Sequence, residues 1–116
     1  MIKKILYMLC IIPFVSSISL NNSYCTSIMG NDLKIDFEKN NMANITATIF
    51  GVDLNCDHEK YSLENNNLFF SKNMSDCLNM NLKGFGACPC PPNVTYVNDS
   101  LIISNTPIGD INLNRC

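Results

Sequence analysis

The chain has 116 residues, with 8 basic and 10 acidic side chains and seven cysteines. This length provides for one domain, and the slight negative charge argues against nucleic acid and anionic lipid headgroups as general partners. A core built from so few residues is marginal against the conformational entropy of the chain, so covalent cross-links are expected.

The N-terminus, residues 1–19, has the pattern of a secretory signal peptide. Two lysines provide a basic start, an apolar run follows, and Pro13 precedes a region of small residues. Cleavage is expected after Ser17 or Ser19, and Ser19 is preferred because serine then stands at both specificity positions. The apolar run is shorter than the ~20 residues that a bilayer span requires, which favours cleavage over membrane anchoring.

The expected product is a secreted, extracellular domain that covers residues 20–116. Removal of Lys3 and Lys4 leaves 6 basic against 10 acidic residues, a formal net charge of −4. No later stretch is apolar enough to span a bilayer, and the C-terminus lacks the hydrophobic tail of a lipid-anchor signal. After signal cleavage, therefore, no transmembrane segment is expected.

The rest of the chain has the periodicity of β-strands. Apolar and polar residues alternate strictly over residues 33–37 and again over residues 78–82. Residues 45–54 also alternate, but the apolar positions change from odd to even numbers at Ile49–Phe50, next to Gly51. This change of phase predicts a bulge or a bend.

Two hairpins follow from the pattern of apolar runs and turn residues. The first covers residues 61–70 with a polar turn in the middle, and the second covers residues 94–103 with a turn at Asn98–Asp99. Residues 111–113 read as a short last strand, and no segment has a convincing helical period. The predicted fold is all-β, a small disulfide-stapled antiparallel sandwich or meander.

The two hairpins resemble each other. Cys56 precedes the first hairpin and Cys77 follows it, whereas Cys90 precedes the second and Cys116 follows it. A duplicated hairpin with its own disulfide would explain this arrangement. Two unrelated hairpins in an asparagine-rich chain are the alternative.

An even number of cysteines in a short secreted chain indicates a disulfide framework. The six that remain after signal cleavage are Cys25, Cys56, Cys77, Cys88, Cys90 and Cys116. A bridge between Cys88 and Cys90 would close a very small ring across Pro89, so the two are expected to have different partners. Cys116, the last residue, is expected to secure an end that would otherwise fray.

The Cys88–Pro89–Cys90 sequence also permits a metal-binding or redox interpretation. Zinc sites usually combine two Cys-x2–4-Cys pairs or add histidines, but the chain has one histidine, His58, far away in sequence. A redox pair would normally stand at the N-terminus of a helix beside a βαβ pattern, and none is present. Structural disulfides are therefore the preferred interpretation.

The sequence contains no catalytic constellation. Acidic side chains concentrate between Asp53 and Glu64, beside His58, but their spacing matches no calcium loop. No serine stands in a Gly-x-Ser-x-Gly setting, and the turn at residues 84–86 is too short to hold a phosphate group. We therefore predict a non-enzymatic protein with no cofactor and no metal ion.

Five N-glycosylation sequons are present, and in a secreted protein each is a candidate acceptor. Their asparagines are Asn21, Asn44, Asn73, Asn93 and Asn98. Residues 47–72 contain no sequon although sequons flank them, so glycans would leave this stretch accessible.

Within the sequon-free stretch, mixed charges and an aromatic residue follow Cys56, a combination typical of interaction hot spots. The proposed interaction loop consists of Asp57, His58, Glu59, Lys60 and Tyr61. An ordinary solvated loop is the alternative.

The C-terminal third of the chain resembles a known family. The residues that are similar to the second half of the MD-2-related lipid-recognition family are Cys88, Pro89, Tyr96, Leu101, Pro107, Leu113 and Cys116. The resemblance implies a sandwich of two sheets that holds a lipid, with the first and last cysteines bridged. The aromatic residues of the mature chain would then line a pocket between the sheets instead of filling one small core.

These features predict a secreted glycoprotein that acts by binding, as an interaction module for an unknown partner. The alternative function is that of a small lipid-binding carrier with an apolar pocket between two β-sheets.

Overall fold

The structure is a computed structural model that describes residues 20–116. The predicted signal peptide, which includes Cys10, lies outside the described residues. Eight strands follow one another along the chain: β1 (Ser23–Ile28), β2 (Asn31–Glu38), β3 (Met42–Ile49), β4 (Val52–Glu64), β5 (Asn67–Phe70), β6 (Asn93–Val97), β7 (Ser100–Thr106) and β8 (Gly109–Arg115).

Each strand pairs antiparallel with the next, and β8 pairs with β1, so the sheet closes into a barrel. The predicted all-β antiparallel fold is confirmed, with a meander closed on itself rather than a sandwich of two sheets. Closure removes the free edges through which an open sheet could pair with other chains. The seams β1–β8 and β5–β6 are the shortest, with two residue pairs each.

The up-and-down order of the strands distributes the connections between two ends of the barrel. The open end carries the turns β1–β2, β3–β4 and β7–β8 and the long β5–β6 connection, residues 71–92. The closed end carries the other three turns and both ends of the described chain.

Both predicted hairpins are confirmed. β4 and β5 join through Asn65–Asn66, and β6 and β7 join through Asn98–Asp99. All four turn residues have positive φ, between 50° and 66°, a conformation that Asn and Asp adopt more readily than most residues. Such two-residue turns match the right-handed twist of the flanking strands.

The change of phase at Ile49–Phe50 marks a complete hairpin turn, not the bulge or bend that was predicted. β3 ends at Ile49 and β4 begins at Val52, so Phe50 and Gly51 form a two-residue turn with φ of 50° and 77°. Ile49 and Val52 are paired and face the same side of the sheet. The inward positions therefore change from odd to even numbers.

The alternating run at residues 78–82 forms a helix, so the prediction of a strand there is wrong. Helix α1 (Cys77–Gly84) lies in the β5–β6 connection. Leu78, Leu82 and Phe85 are spaced i, i+4 and i+7, which places them on one face of a helix, and all three pack against the core. Among residues 20–116, no helix has the length and apolar character that crossing a lipid bilayer requires.

Three disulfides join the six cysteines of the described chain. Cys25–Cys116 crosses the β1–β8 seam and fixes the last residue, as predicted, and it bridges the first and last cysteines as the family resemblance implied. Cys56–Cys77 attaches α1 to β4. Disulfides form and persist in oxidising compartments, so this framework indicates such an environment.

The third disulfide joins Cys88 to Cys90, and the expectation that these two have different partners is wrong. The chain folds at Pro89, so the two Cα atoms lie 4.6 Å apart, within the range that a disulfide spans. An extended chain would separate them by about 7 Å. Because Cys90 pairs with Cys88, the second hairpin has no disulfide to Cys116, which contradicts the idea of a duplicated, stapled hairpin.

Candidate ligand-binding site

Aromatic side chains fill the half of the barrel interior that lies at the closed end. Tyr24 packs edge-to-face against Phe37 and Tyr96, with ring centroids 5.8 and 6.1 Å apart. Phe37 packs in the same way against Tyr61, at 5.0 Å. Edge-to-face packing at these distances is a preferred aromatic geometry, so this half of the barrel is a well-packed core.

A hydrogen-bond network connects the aromatic cluster to the surface at the closed end. The Tyr24 hydroxyl donates to Asp99 Oδ1 at 2.5 Å, and a guanidinium nitrogen of Arg115 lies 2.6 Å from Asp99 Oδ2. The hydrogen bond from Tyr24 lowers the pKa of the Asp99 carboxyl, with a further contribution from Arg115, and burial raises the pKa of Tyr24. Tyr24 and Arg115 are paired across the β1–β8 seam, so the network reinforces this closure.

The half of the interior at the open end contains a cavity of ≈ 270 Å³. An eight-stranded barrel is just wide enough to be filled by side chains or to hold one small ligand. Apart from Phe70, the inward side chains that the strands contribute here are aliphatic or smaller, which leaves the space. The wall residues contributed by the strands include Leu33, Ile35, Ile45, Ala47, Ile49, Leu54, Val94, Ile103 and Ile111.

The β5–β6 connection, which we call the lid, covers part of the open end. Leu78, Leu82 and Phe85 from the lid complete the apolar lining of the cavity. The Cys56–Cys77 disulfide and the packing of α1 against β4 hold the lid on the barrel. The cavity is therefore enclosed by strands on its sides and by the lid across part of its mouth.

A buried carboxyl group on β4, Glu59, supports the beginning of α1. Glu59 is 5% exposed. Its carboxyl group lies beside the Asp76 carboxyl and the backbone N–H of Leu78, at the beginning of α1. Burial, followed by the hydrogen bond to Asp76, raises the pKa of Glu59 to about 7. Asp76 is the N-cap residue of α1 but makes no side-chain capping bond, so the Glu59 carboxyl is a nearby acidic group at the end of the helix where unpaired N–H groups lie.

The predicted interaction loop is part of strand β4, which corrects its description as a loop. A register shift between β3 and β4 produces a bulge in this segment. Glu59 and Tyr61 are buried, whereas Asp57, His58 and Lys60 are exposed. A role of these three exposed residues in binding a partner stays a prediction.

The five sequon asparagines are all at least partly exposed, and none lines the cavity. Asn44 accepts a hydrogen bond from the backbone N–H of His58 at 2.9 Å, and Asn73 accepts one from that of Ser75 at 3.0 Å. Both bonds use the amide oxygen and leave the amide nitrogen, the atom that would carry a glycan. Glycosylation at the five positions stays a prediction.

The sequence patterns predicted an apolar pocket only as an alternative, between two sheets, and did not place it at one end of a barrel, although one signal for its position was present. Tyr24 lies near the start of β1, whereas Phe37 and Tyr96 lie near the ends of β2 and β6. In a meander these positions meet at the same end of the sheet, so the aromatic residues collect there and leave the other end to aliphatic residues. The aromatic rings therefore fill a core, and apart from Phe50, Phe70 and Phe85 they do not line the pocket.

Among residues 20–116, no group of three or more His, Cys, Asp or Glu side chains is arranged to hold a metal ion. Comparison of the chain with protein-family models, with curated proteins and with solved structures finds no match.

Proposed function

We propose that the protein is a secreted carrier that binds one small, uncharged apolar molecule inside the barrel. The observation that carries this proposal is the apolar cavity of ≈ 270 Å³ at the open end of a barrel whose other end is packed. Apolar cavities with few polar groups are the usual binding sites for small molecules. We prefer this function to an interaction module because Glu59 and Tyr61, two residues of the proposed contact segment, are buried.

The lining of the cavity favours ligands without a charge. Among the described residues that line it, none is Lys, Arg or His, and the one charged residue is Asp32, which is exposed at the open end. An anionic headgroup that entered the cavity would therefore lose its hydration without forming an ion pair with a cationic side chain, and the Asp32 carboxylate would repel it. A neutral alcohol, ester or isoprenoid avoids both penalties.

The volume of the cavity limits the size and affinity of the ligand. A cavity of about 150 Å³ lined by Leu, Ile and Phe binds benzene, so ≈ 270 Å³ corresponds to roughly ten carbon atoms. Burial of about ten methylene groups contributes at most about 8 kcal/mol, which limits the dissociation constant to about 1 μM or weaker.

Calorimetric titration with decanol and with decanoate tests the proposal. We expect decanol to bind with a Kd in the micromolar range and with a negative heat-capacity change, because apolar surface is buried. Decanoate should bind at least about tenfold more weakly at neutral pH, because its carboxylate would be desolvated without a partner.

A matched pair of variants places the ligand in the cavity. Ala47→Phe adds a ring to the cavity wall and should abolish decanol binding, whereas Asn55→Phe adds the same ring to the outer face of β4 and should leave binding unchanged. Failure of the unmodified protein to bind decanol, or equal binding by the Ala47→Phe variant, would contradict the proposal.

A further inference from the structure

Three turns at the open end present apolar side chains to solvent. Met29 in the β1–β2 turn is 93% exposed, Phe50 in the β3–β4 turn is 83% exposed, and Ile108 in the β7–β8 turn is 58% exposed. We call these three residues the rim. Phe50 and Ile108 also contact the cavity, and the N–H of Phe50 donates to Asn31 Oδ1 in β2 at 2.8 Å. The rim therefore continues the apolar surface of the cavity outward.

Two of the rim residues have positive φ, a backbone conformation that Asn, Asp and Gly adopt more readily than Met or Phe. Met29 and Phe50 have φ of 54° and 50°, and each is followed by a glycine with positive φ. Asn-Gly is the preferred pair in such turns, and left-handed backbone is unfavourable for residues with longer side chains. At the closed end the same conformation is occupied by Asn65–Asn66 and Asn98–Asp99. Met and Phe in this position point to a role other than folding.

Charges near the rim restrict what can cover it. An exposed aspartate follows each rim residue within three positions: Asp32, Asp53 and Asp110. A second copy facing the rim would bring these carboxylates against their equivalents, and three separate side chains offer far less than the roughly 800 Å² per partner of a stable interface. An anionic surface would be repelled for the same reason.

We propose that the rim inserts into the surface of an electrically neutral, zwitterionic lipid bilayer. The rim side chains would reach the boundary of the acyl chains, and the three aspartates would lie at the level of the cationic ammonium groups of the headgroups. None of the five sequons lies in the three rim turns, although Asn73 in the lid and Asn93 at the start of β6 are at the open end. In this orientation the mouth of the cavity faces the lipid, so an apolar ligand passes between bilayer and barrel without entering water. This transfer rests on the proposed carrier function, whereas docking itself requires no ligand.

Flotation of the mature protein with phosphatidylcholine vesicles measures docking directly. The assay uses about 1 mM lipid. We expect reversible binding, with an association constant no greater than the roughly 10⁴ M⁻¹ that a single myristoyl chain provides. Inclusion of phosphatidylserine should weaken binding, because the rim aspartates are repelled by anionic headgroups.

The combined variant Met29→Asn, Phe50→Asn and Ile108→Asn removes the rim. It should bind the vesicles at least about tenfold more weakly, and because Asn suits positive φ in the turns, its Tm should rise. Phe69→Gln, which removes an exposed aromatic residue from β5, is the matched control and should bind as the unmodified protein does.

Docking and ligand binding are separated by the Ala47→Phe variant, which blocks the cavity and leaves the rim intact. This variant should bind vesicles normally. Met29→Asn alone changes the one rim residue that does not line the cavity, so it should weaken vesicle binding and still bind decanol as the unmodified protein does. No binding to phosphatidylcholine vesicles, or equal binding by the rim variant, would overturn the proposal. A concentration-dependent dimer in sedimentation that the rim variant abolishes would also overturn it, in favour of a second copy as the occupant.

Discussion

The two ends of the barrel use the same kind of tight hairpin but differ in both their interiors and their turn residues. At the closed end, aromatic rings fill the interior and Asn or Asp occupies the turns. At the open end, aliphatic side chains leave a cavity, and Met29 and Phe50 occupy the turns. Interior packing and turn residues change together: the closed half has a packed interior and well-suited turn residues, and the open half has neither.

Strand β3 runs through both halves of the barrel, and its two inward alanines show how the packing of the halves differs. Ala43 and Ala47 both face inward. Ala43 is paired with Phe37 on one side and Glu59 on the other, where its small side chain makes room for the aromatic cluster. Ala47 lines the cavity, where its small side chain leaves space. The same amino acid therefore allows close packing of the aromatic rings at the closed end and leaves part of the cavity at the open end.

Removal of the disulfide at the closed end should have the largest effect on stability. Cys25–Cys116 joins residues 91 positions apart across a seam of two residue pairs. In the chain-entropy treatment, the double variant Cys25→Ala and Cys116→Ala loses about 4–5 kcal/mol of unfolding free energy. Urea denaturation measures the loss.

The disulfide in the lid provides the matched control for this experiment. Cys88–Cys90 joins residues two positions apart, so replacing both with alanine should reduce the unfolding free energy by only about 1.5 kcal/mol. Equal losses in the two double variants would show that the covalent closure of the β1–β8 seam does not dominate stability.

Enlarging the two alanines of β3 should give opposite results. Ala43→Leu forces extra methyl groups into the packed half and should reduce the unfolding free energy by about 1–3 kcal/mol. Ala47→Leu fills part of the cavity and should leave the unfolding free energy unchanged or raise it by up to about 1 kcal/mol. Thermal unfolding of the two variants compares them, and a large loss for Ala47→Leu would mean that the cavity half is as tightly packed as the other.

Sequence patterns predicted the strands and the turns of the closed end because those signals are local. Asn98–Asp99 between two apolar runs is sufficient to specify a hairpin, and Asn65–Asn66 acts in the same way. At Phe50–Gly51 the pattern predicts only a bulge or a bend, because phenylalanine is a poor residue for positive φ and only the glycine indicates a change of direction. The open end departs from local preference, which is why sequence reasoning was weakest there.

The lid could not be predicted because its structure depends on contacts with distant residues. Leu78, Met80 and Leu82 alternate as in a strand, but Met80 is 58% exposed, and the helical spacing of Leu78 and Leu82 prevails. Cys77 is bonded to Cys56 of β4, and the buried Glu59 of β4 lies beside Asp76 at the beginning of α1, contacts that no local pattern reveals. The cavity likewise depends on how all eight strands close, and alternation identifies the inward face without showing whether it is filled.

A further expected effect is the pH dependence of stability that Glu59 introduces where the lid joins the barrel. In the unfolded chain this carboxyl ionises near its ordinary pKa of 4.5, whereas in the folded protein burial and Asp76 raise its pKa to about 7. Between these values the folded state holds more protons than the unfolded state, so stability falls as pH rises from about 4.5 to 7 and then levels off. Glu59→Gln has no proton to lose and keeps the size and polarity of the side chain. Its Tm should therefore decline less than that of the unmodified protein between pH 5 and 8, whereas the exposed control Glu64→Gln should follow the unmodified profile. Parallel profiles for all three proteins would show that the proton on Glu59 does not contribute to the attachment of the lid.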